Sequence, residues 1–425
     1  MDPNEPHTAD PQSADPRAKP PHATDAGRSG RRLPPSVWAL GLTSLFMDVS
    51  SELVHALLPL YLATVLGASM LAIGIIEGIA EATAQLTKPV SGWLSDRLRR
   101  RKPLAVAGYG LAAIVKPVFP LATSVGWVFA ARFVDRIGKG IRGAPRDALI
   151  ADLVPAGQRG AAYGLRQSLD SVGAFVGPLA AIGLMVAMAD DIRAALWFAV
   201  APALVALAVL VFGVREPAPR VESSAPRAPV GLAELRALPG RLWLVVGLGA
   251  VLTLARFSEA FLILRAVDVG LALAWAPAVM VVMNLVYAAL SYPAGLVADR
   301  IGTRMLLLAG VAALVGADLV LAWLPTVAGA FAGTALWGMH MALTQGLLAK
   351  LVADAAPERL RGSAFGLFNL ATGVALLAAS VVAGALWQAV GPSATFVAGA
   401  AFAAVAGLGM LLGPLRPRHG EPSIR

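Results

Sequence analysis

From residue 36 onward the chain divides into apolar runs of about twenty residues or more, separated by short polar connectors. The runs lie at about 36–66, 70–95, 103–122, 125–153, 160–187 and 193–214. They resume at about 242–270, 273–298, 304–323, 326–354, 362–390 and 393–414. A helix rises about 1.5 Å per residue, so a run of about twenty crosses the hydrocarbon of a bilayer. About twelve membrane-spanning helices are therefore predicted. Barrel strands are not, because the runs are too long and do not alternate. Composition agrees: 57% of the 425 residues are hydrophobic and only 14% are charged. Too few polar side chains remain to cover soluble domains of this length, which argues against a soluble enzyme. The absence of cysteine removes disulfides and thiolate metal sites.

Residues 1–35 are rich in Pro, Asp, Ala and Arg and hold no apolar run. They read as a disordered polar tail rather than a secretory signal, which needs an apolar core. Two sets of six spans are expected at 36–214 and 242–414, joined by a loop at 215–241 and followed by a tail at 415–425. Basic residues collect on one side of these spans. Residues 96–102 read DRLRRRK, and the joining loop carries Arg215, Arg220, Arg227, Arg236 and Arg241. Arg159, Arg304, Arg359, Arg361, Arg416 and Arg418 fall on the same side. The turns near 67–69, 123–126, 324–326 and 391–393 hold no basic residue, with Arg193 and Arg265 as candidate exceptions. The positive-inside rule then places both termini in the cytoplasm of a multi-pass protein of the inner (plasma) membrane. The net charge of +9 is a topology signal, and no nucleic-acid partner is expected.

The two sets echo each other. SGWLSDR at 91–97 recurs as AGLVADR at 294–300, and DLVPAGQRGAAYGL at 152–165 recurs as DAAPERLRGSAFGL at 354–367. The second pair is offset by 202 residues, the first by nearly the same amount. Two matched strings at one offset indicate a duplication. Parallel repeats of this kind build transporters whose substrate path runs between the halves near the midplane.

On these strings the chain resembles the major facilitator superfamily over about 36–414. SGWLSDRLRRRKP is similar to that superfamily's loop signature, Gly-x-Leu-x-Asp-Arg-x-Gly-Arg-Arg. Gly92, Leu94, Asp96, Arg97, Arg100 and Arg101 match, and Arg99 replaces the second Gly. The second copy keeps Gly295, Asp299, Arg300, Gly302 and Arg304. The resemblance implies that this loop clips two bundles together on the cytoplasmic side. GAFVGP at 173–178 is similar to a Gly-x-x-x-Gly-Pro signature of antiporters in the superfamily, so Gly173, Gly177 and Pro178 imply exchange. RFVDRIG at 132–138 partly resembles the fourth-span Arg signature, with Arg136 where Gly is usual, and the longer string through Asp152 resembles a bacterial subgroup of uncertain substrate. The implied fold is all-α: about 12 transmembrane helices in two pseudo-symmetric six-helix bundles, working as a monomer without a cofactor.

Charges inside the spans point to where chemistry occurs. An ionisable group at bilayer depth costs at least about 2.5–3.5 kcal/mol on insertion scales, so each needs a partner or a watery cavity. The fourth span carries Arg132, Asp135, Arg136, Lys139, Arg142, Arg146 and Asp147. Its five basic residues step by four, three, three and four, which keeps them on one face. Acidic candidates are Asp48 and Glu52, Glu77 and Glu81, and Asp170, each of the first two pairs four residues apart. In the second half Ser258-Glu259 echoes Ser51-Glu52, Arg256 is three residues before Glu259, and Arg265, Asp268 and Asp318 are further candidates. Two readings stay open. The charges neutralise one another as buried structural pairs, or some carboxylates bind and release protons as the protein changes conformation. Carboxylates on the first span of a half can reach a central path, which puts Asp48 and Glu52 first, and Glu259 next, as proton-coupling sites. Arg132, Asp135, Arg136, Lys139, Arg142, Asp170 and Arg256 are candidates for substrate binding or for the charge network.

Other chemistry is weakly represented. Met47, His55, Met280, Met283, Met339, His340 and Met341 are conceivable soft or borderline ligands, but Met in an apolar helix is usually packing and a lone His is usually a satisfied polar group. No metal site is expected. Gly138-Lys139-Gly140 lacks the spacing of a phosphate-binding loop, and no nucleophile–base set is visible. Gly74 and Gly78 in the second span, like Gly173 and Gly177, suit close helix approach. The expected function is secondary active transport, as proton-coupled antiport exporting a small solute (drug, metabolite or metal complex) by alternating access. The alternative is proton-coupled uptake of an anionic solute or metal chelate held by Arg132, Arg136 and Lys139. A non-transporting receptor or scaffold fits the duplicated loop signatures poorly.

Overall fold

Each apolar run of the sequence becomes a helical span in the computed structural model, which describes residues 33–98, 100–216, 239–357 and 360–412. Among those residues every regular element is helical. Helix α1, Pro35–Leu60, starts on a proline whose missing N–H is one the first turn leaves unpaired, and it ends in a π turn, Tyr61–Val65. Then come α2 (Met70–Leu98), α3 (Lys102–Val115), its short continuation α4 (Val118–Leu121), α5 (Val125–Leu153) and α6 (Arg159–Ala187). The sixth span is divided into α7 (Ile192–Trp197) and α8 (Val200–Gly213). The second half opens with a divided span, α9 (Gly240–Leu254) and α10 (Ala260–Asp268). It continues with α11 (Ala278–Ile301), α12 (Thr303–Trp323), α13 (Val327–Ala355), α14 (Arg361–Ala389) and α15 (Pro392–Leu412). These make twelve spans, with ends within a few residues of the sequence expectation. Nine helical stretches among the described residues are long and apolar enough to cross a membrane on length and composition alone. Helix α5 is not one of them, because its charges lower its hydropathy.

Residues 1–32, 217–238 and 413–425 lie outside the described residues, and with them most of the expected tails and joining loop. Arg99, Glu358 and Arg359 lie outside them too, as do the side chains of Asp96, Asp299, Arg300 and Arg361.

The duplication is visible in helix crossings. Helix α3 crosses α5 where Gly108 meets Gly138 and Arg142, and α12 crosses α13 where Gly310 meets His340 and Thr344. Each residue of the second crossing is 202 positions beyond its counterpart, the offset found in the connectors. At both crossings a Cβ on the leading glycine would strike the neighbouring helix, so glycine sets the approach.

The apolar core decides how the halves meet. We call the end carrying the 96–102 connector, Arg159 and Arg304 the basic end. At the opposite end one cluster joins both halves, with Leu57, Tyr61 and Ile76 from the first and Phe257, Phe261 and Leu321 from the second. Near the basic end each half has its own cluster: Leu40, Ala105, Leu149 and Leu210 in one, Leu242, Val245, Val352 and Ala364 in the other. The halves are therefore fused at one end and separate at the other. Helices α2 and α14 form the main seam. Gly74 lies against the backbone of Ser380 and Gly384, Gly384 against that of Met70 and Leu71, and Gly78 against Leu377.

Candidate functional site

The charges of α5 are absorbed by the helices around it. Arg132 is 1% exposed, and its Nη2 donates to Glu77 Oε2 at 2.8 Å and to His55 Nδ1 at 2.8 Å. One turn on, Arg136 Nη1 pairs with Glu81 Oε1 at 3.0 Å. The four-residue spacing on α5 thus meets the four-residue spacing on α2, as facing helix turns allow. Asp135 points elsewhere, to Lys116 Nζ at 2.9 Å, where α3 bends into α4, and Lys116 also donates to Ser51 Oγ. Nearer the basic end the guanidinium of Arg142 lies 4.9 Å from the ring centroid of Tyr109. Arg146 Nη1 donates to Ser44 Oγ at 2.9 Å, and its Nε pairs with Asp147. Arg166 links Asp147, at 2.8 Å, to Asp170, at 2.7 Å. Asp48 belongs to this group, in the field of Asp170, Arg142, Lys139 and Arg146.

A cavity of about 490 Å³ separates the halves. The first half contributes Glu52 and His55 from α1, Glu81 and Gln85 from α2, and Arg136 and Lys139 from α5. The second contributes Arg256, Phe257, Ser258 and Glu259 from the α9–α10 break, Trp337 and Gln345 from α13, and Phe365, Phe368, Asn369 and Thr372 from α14. The shared apolar cluster closes the far end, so the route to solvent runs toward the basic end.

The α9–α10 break departs from the single span that the sequence predicts over 242–270. No Pro or Gly stands between Leu254 and Ala260. Its backbone is satisfied instead by serines: Ser258 N donates to Ser380 Oγ at 3.1 Å, and Ala260 N to Ser258 Oγ at 3.3 Å. Irregular backbone at membrane depth is tolerated where it lines a cavity or is buried in protein, and this segment does both. Behind it Phe257 packs on Trp337, Phe261 and Phe396 at centroid distances of 5.3, 5.8 and 5.5 Å. This aromatic cage is the floor of the cavity.

One polar link crosses between the halves at the floor. His55 Nε2 lies 3.5 Å from Glu259 Oε2. Arginine can only donate, so His55 Nδ1 accepts from Arg132 and the ring N–H sits on Nε2, facing Glu259. Glu77, Arg132, His55 and Glu259 form a continuous polar chain from inside the first half to the second.

The candidate residues therefore separate into groups. Glu52, Arg136, Lys139, Arg256 and Glu259 line the cavity, whereas Asp48, Arg142 and Asp170 sit in the cluster nearer the basic end. Arg132 and Asp135 are sealed in pairs and do not line it. The α5 stripe is thus not one surface, because α1, α2, α3 and the cavity each take part of its arc. Gly173 and Gly177 face α1: a Cβ at Gly173 would lie 2.9 Å from Asp48 Cβ, and one at Gly177 would lie 2.7 Å from Glu52 Cβ. In the basic connector Gly92 packs on Ala144, Arg97 lies over the Trp93 ring, Arg100 is exposed, and Arg101 pairs with Asp152 at 2.9 Å. These contacts stay inside the first half. Gly295 faces open space, and the expected clip between bundles rests on side chains of Asp96, Asp299 and Arg300 that lie outside the described ones. His55 and the aromatic wall were missed as cavity residues, since single apolar or imidazole side chains on an apolar helix carry no periodic signal. Met280 and Met283 are packed in the core, and His340 Nδ1 meets Gly310 O at 2.8 Å.

Comparison with known proteins agrees with this architecture. The family model described as the Major Facilitator Superfamily matches residues 40–284 and 260–424. An uncharacterized MFS-type transporter of Methanocaldococcus jannaschii is 32% identical over 389 residues, 90% of this chain and 95% of the relative. An uncharacterized protein of Mycobacterium tuberculosis is 30% identical over 359 residues, 83% of this chain and 86% of the relative. Among solved structures, the nucleoside transporter NupG aligns with a TM-score of 0.74 at 12% identity, over 88% of this chain and 98% of that one. The POT family transporter PepTSo aligns with a TM-score of 0.73 at 12% identity, over 90% and 98%. At such identities the structures share the fold alone.

Proposed function

The chain belongs to the major facilitator superfamily and is a secondary transporter, and from that premise we propose that it exchanges protons for a small solute exported from the cytoplasm. The basic end faces the cytoplasm, as the positive-inside rule requires, in an inner (plasma) membrane. The protein works as a monomer. Solute enters the cavity from that side. The halves then rock, closing the basic end and opening the α2–α14 seam at the other. Protons taken up outside by Glu52 and Glu259, with Asp48 as a relay toward the basic end, accompany the return.

The observation that carries this reading is the cavity itself: Glu52, Lys139 and Arg256 face it with no ion pair within 4 Å among the described residues. Charges sealed away from the cavity, such as Arg132 and Lys116, are held in pairs; unpaired ones that face it suit groups that exchange partners during a cycle. Export rather than uptake is supported by the antiporter-like string, whose glycines press α6 onto the turns of α1 bearing Asp48 and Glu52. Uptake of a simple anion is less well supported. Arg132 is sealed behind Glu77, and the cavity's remaining cations are matched by carboxylates.

The test uses everted vesicles energised by respiration and a pH-sensitive dye, with a panel of organic cations, acids and dipolar solutes. A transported solute should release the proton gradient in wild-type vesicles and not in Glu52→Gln or Glu259→Gln. Full release in both variants would reject the coupling assignment.

A further inference from the structure

Six ionisable groups line the cavity, three basic and three acidic: Arg136, Lys139 and Arg256 against Glu52, Glu81 and Glu259. His55 adds no formal charge, because its Nδ1 accepts from Arg132. Arg136 and Glu81 are committed to each other, and Glu259 faces His55 Nε2 across 3.5 Å and lies in the field of Arg256. Glu52 and Lys139 on one wall and Arg256 on the other remain for a ligand. All three face the same cavity.

The walls differ in their apolar character. Phe257, Trp337, Phe365, Phe368 and Leu376 all come from the second half, while the first-half lining is ionic or polar throughout. The volume of about 490 Å³ lies within the range of pockets that enclose amino-acid-sized to drug-sized molecules.

Resting on the carrier reading above, we infer that the substrate class is a dipolar organic solute, carrying one ammonium, one carboxylate or equivalent anion, and an aromatic or bulky apolar body. A net anion would enter a low-dielectric space already holding three carboxylates, and a net cation one holding three cations. A solute neutral overall meets both signs. Its ammonium pairs with Glu52, its anionic group with Lys139 and the forked guanidinium of Arg256, and its body lies against Phe257, Trp337 and Phe368. Because Lys139 and Arg256 belong to different halves, an anionic group bridging them draws the basic end together. That closure is the one alternating access needs.

The test is isothermal titration calorimetry on the full-length protein in nanodiscs with three probes that differ by one charged group: L-phenylalanine, phenethylamine and 3-phenylpropionate. L-phenylalanine should bind at least about tenfold more tightly than either of the others, the factor one hydrogen bond to a charged group supplies. Glu52→Gln should erase its advantage over 3-phenylpropionate, and Arg256→Gln its advantage over phenethylamine. If Arg256→Gln does not fold, Lys139→Gln takes its place. Equal or tighter binding of either single-charge probe, no binding of any probe, or selectivity unchanged in folded variants overturns the assignment. Counterflow in proteoliposomes is measured in parallel. Selective binding without flux would remove the carrier reading and leave the ligand class, and flux of a net-charged solute without dipolar preference would do the reverse.

Discussion

Asn284 on α11 donates its side-chain amide to the backbone oxygen of Ala174 on α6 at 3.1 Å, a hydrogen bond between the two halves. That oxygen is available because the residue four positions on is Pro178, which has no N–H to return to it. The proline of the antiporter-like string thus does more than bend α6. It creates an acceptor that the other half uses when the far end is closed. Pro178→Ala should restore the helical bond and compete with Asn284, and Asn284→Leu should leave Ala174 O unpaired. Each shifts the closed–open balance by about 1 kcal/mol, and the double variant by no more than one alone. The chain has no cysteine, so spin labels introduced by Val186→Cys and Trp275→Cys, both on exposed positions at that end, report the shift as a longer distance population. An unchanged distance distribution would remove the proline's proposed role.

Glu259 and His55 give the second prediction. The imidazole N–H faces the carboxylate across the halves, and Glu259→Gln keeps an acceptor there while removing the charge. Solute counterflow, which needs no net proton movement, should persist in Glu259→Gln. Flux driven by a pH gradient should fall at least about tenfold, the loss of one charge-dependent step of about 1.4 kcal/mol. Equal loss of both activities would point to a binding or folding role for Glu259 instead.

The spans were legible because each is a long apolar run; α12 at Thr303–Trp323 is almost the run read at 304–323. The facing of Glu77 and Glu81 by Arg132 and Arg136 was half legible. Equal spacing marks two faces, but which helix turns toward which depends on rotations that only packing sets. For that reason the sequence leaves Arg132 open between solute binding and the charge network, and in the structure Glu77 and His55 take its guanidinium. The α9–α10 break left no trace, because side-chain hydroxyls on Ser258 and Ser380 replace its lost helical bonds where no Pro or Gly interrupts the sequence. The aromatic wall was equally silent. Phe257 and Trp337 look like any apolar residues of a membrane helix until the cavity beside them is known.

The α2–α14 seam is set by missing side chains. A Cβ at Gly74 would overlap the carbonyl oxygen of Ser380, and one at Gly384 would overlap that of Met70. Backbone atoms cannot rotate away, so Gly74→Ala should force the helices apart and depopulate the state closed at the far end. Gly183→Ala on α6, where nothing lies within 4 Å, is the control and should change nothing. Labelling rates of single cysteines placed in the seam should rise in Gly74→Ala and stay at the parent value in Gly183→Ala. Equal rates in the two would show that the seam is looser than its packing implies.

The two halves treat equivalent buried charges differently, and stability should record it. Lys116 and Asp318 stand 202 residues apart, as do Asp135 and Trp337, the offset that relates the helix crossings. In the first half Lys116 and Asp135 pair at 2.9 Å. In the second, Asp318 is fully buried beside Gly399, and both its oxygens and Trp337 Nε1 lack a hydrogen-bond partner among the described residues. Asp135→Asn strands the Lys116 ammonium in the interior, which should cost about 3–5 kcal/mol, the range for breaking a buried pair from one side. Asp318→Asn strands nothing and keeps the shape, so thermal unfolding of the purified protein should occur at an unchanged or higher temperature. Asp135→Asn with Lys116→Met should regain most of the loss, since neither charge then remains unpaired. A fall for Asp318→Asn as deep as that for Asp135→Asn would mean that Asp318 binds a partner essential to the fold.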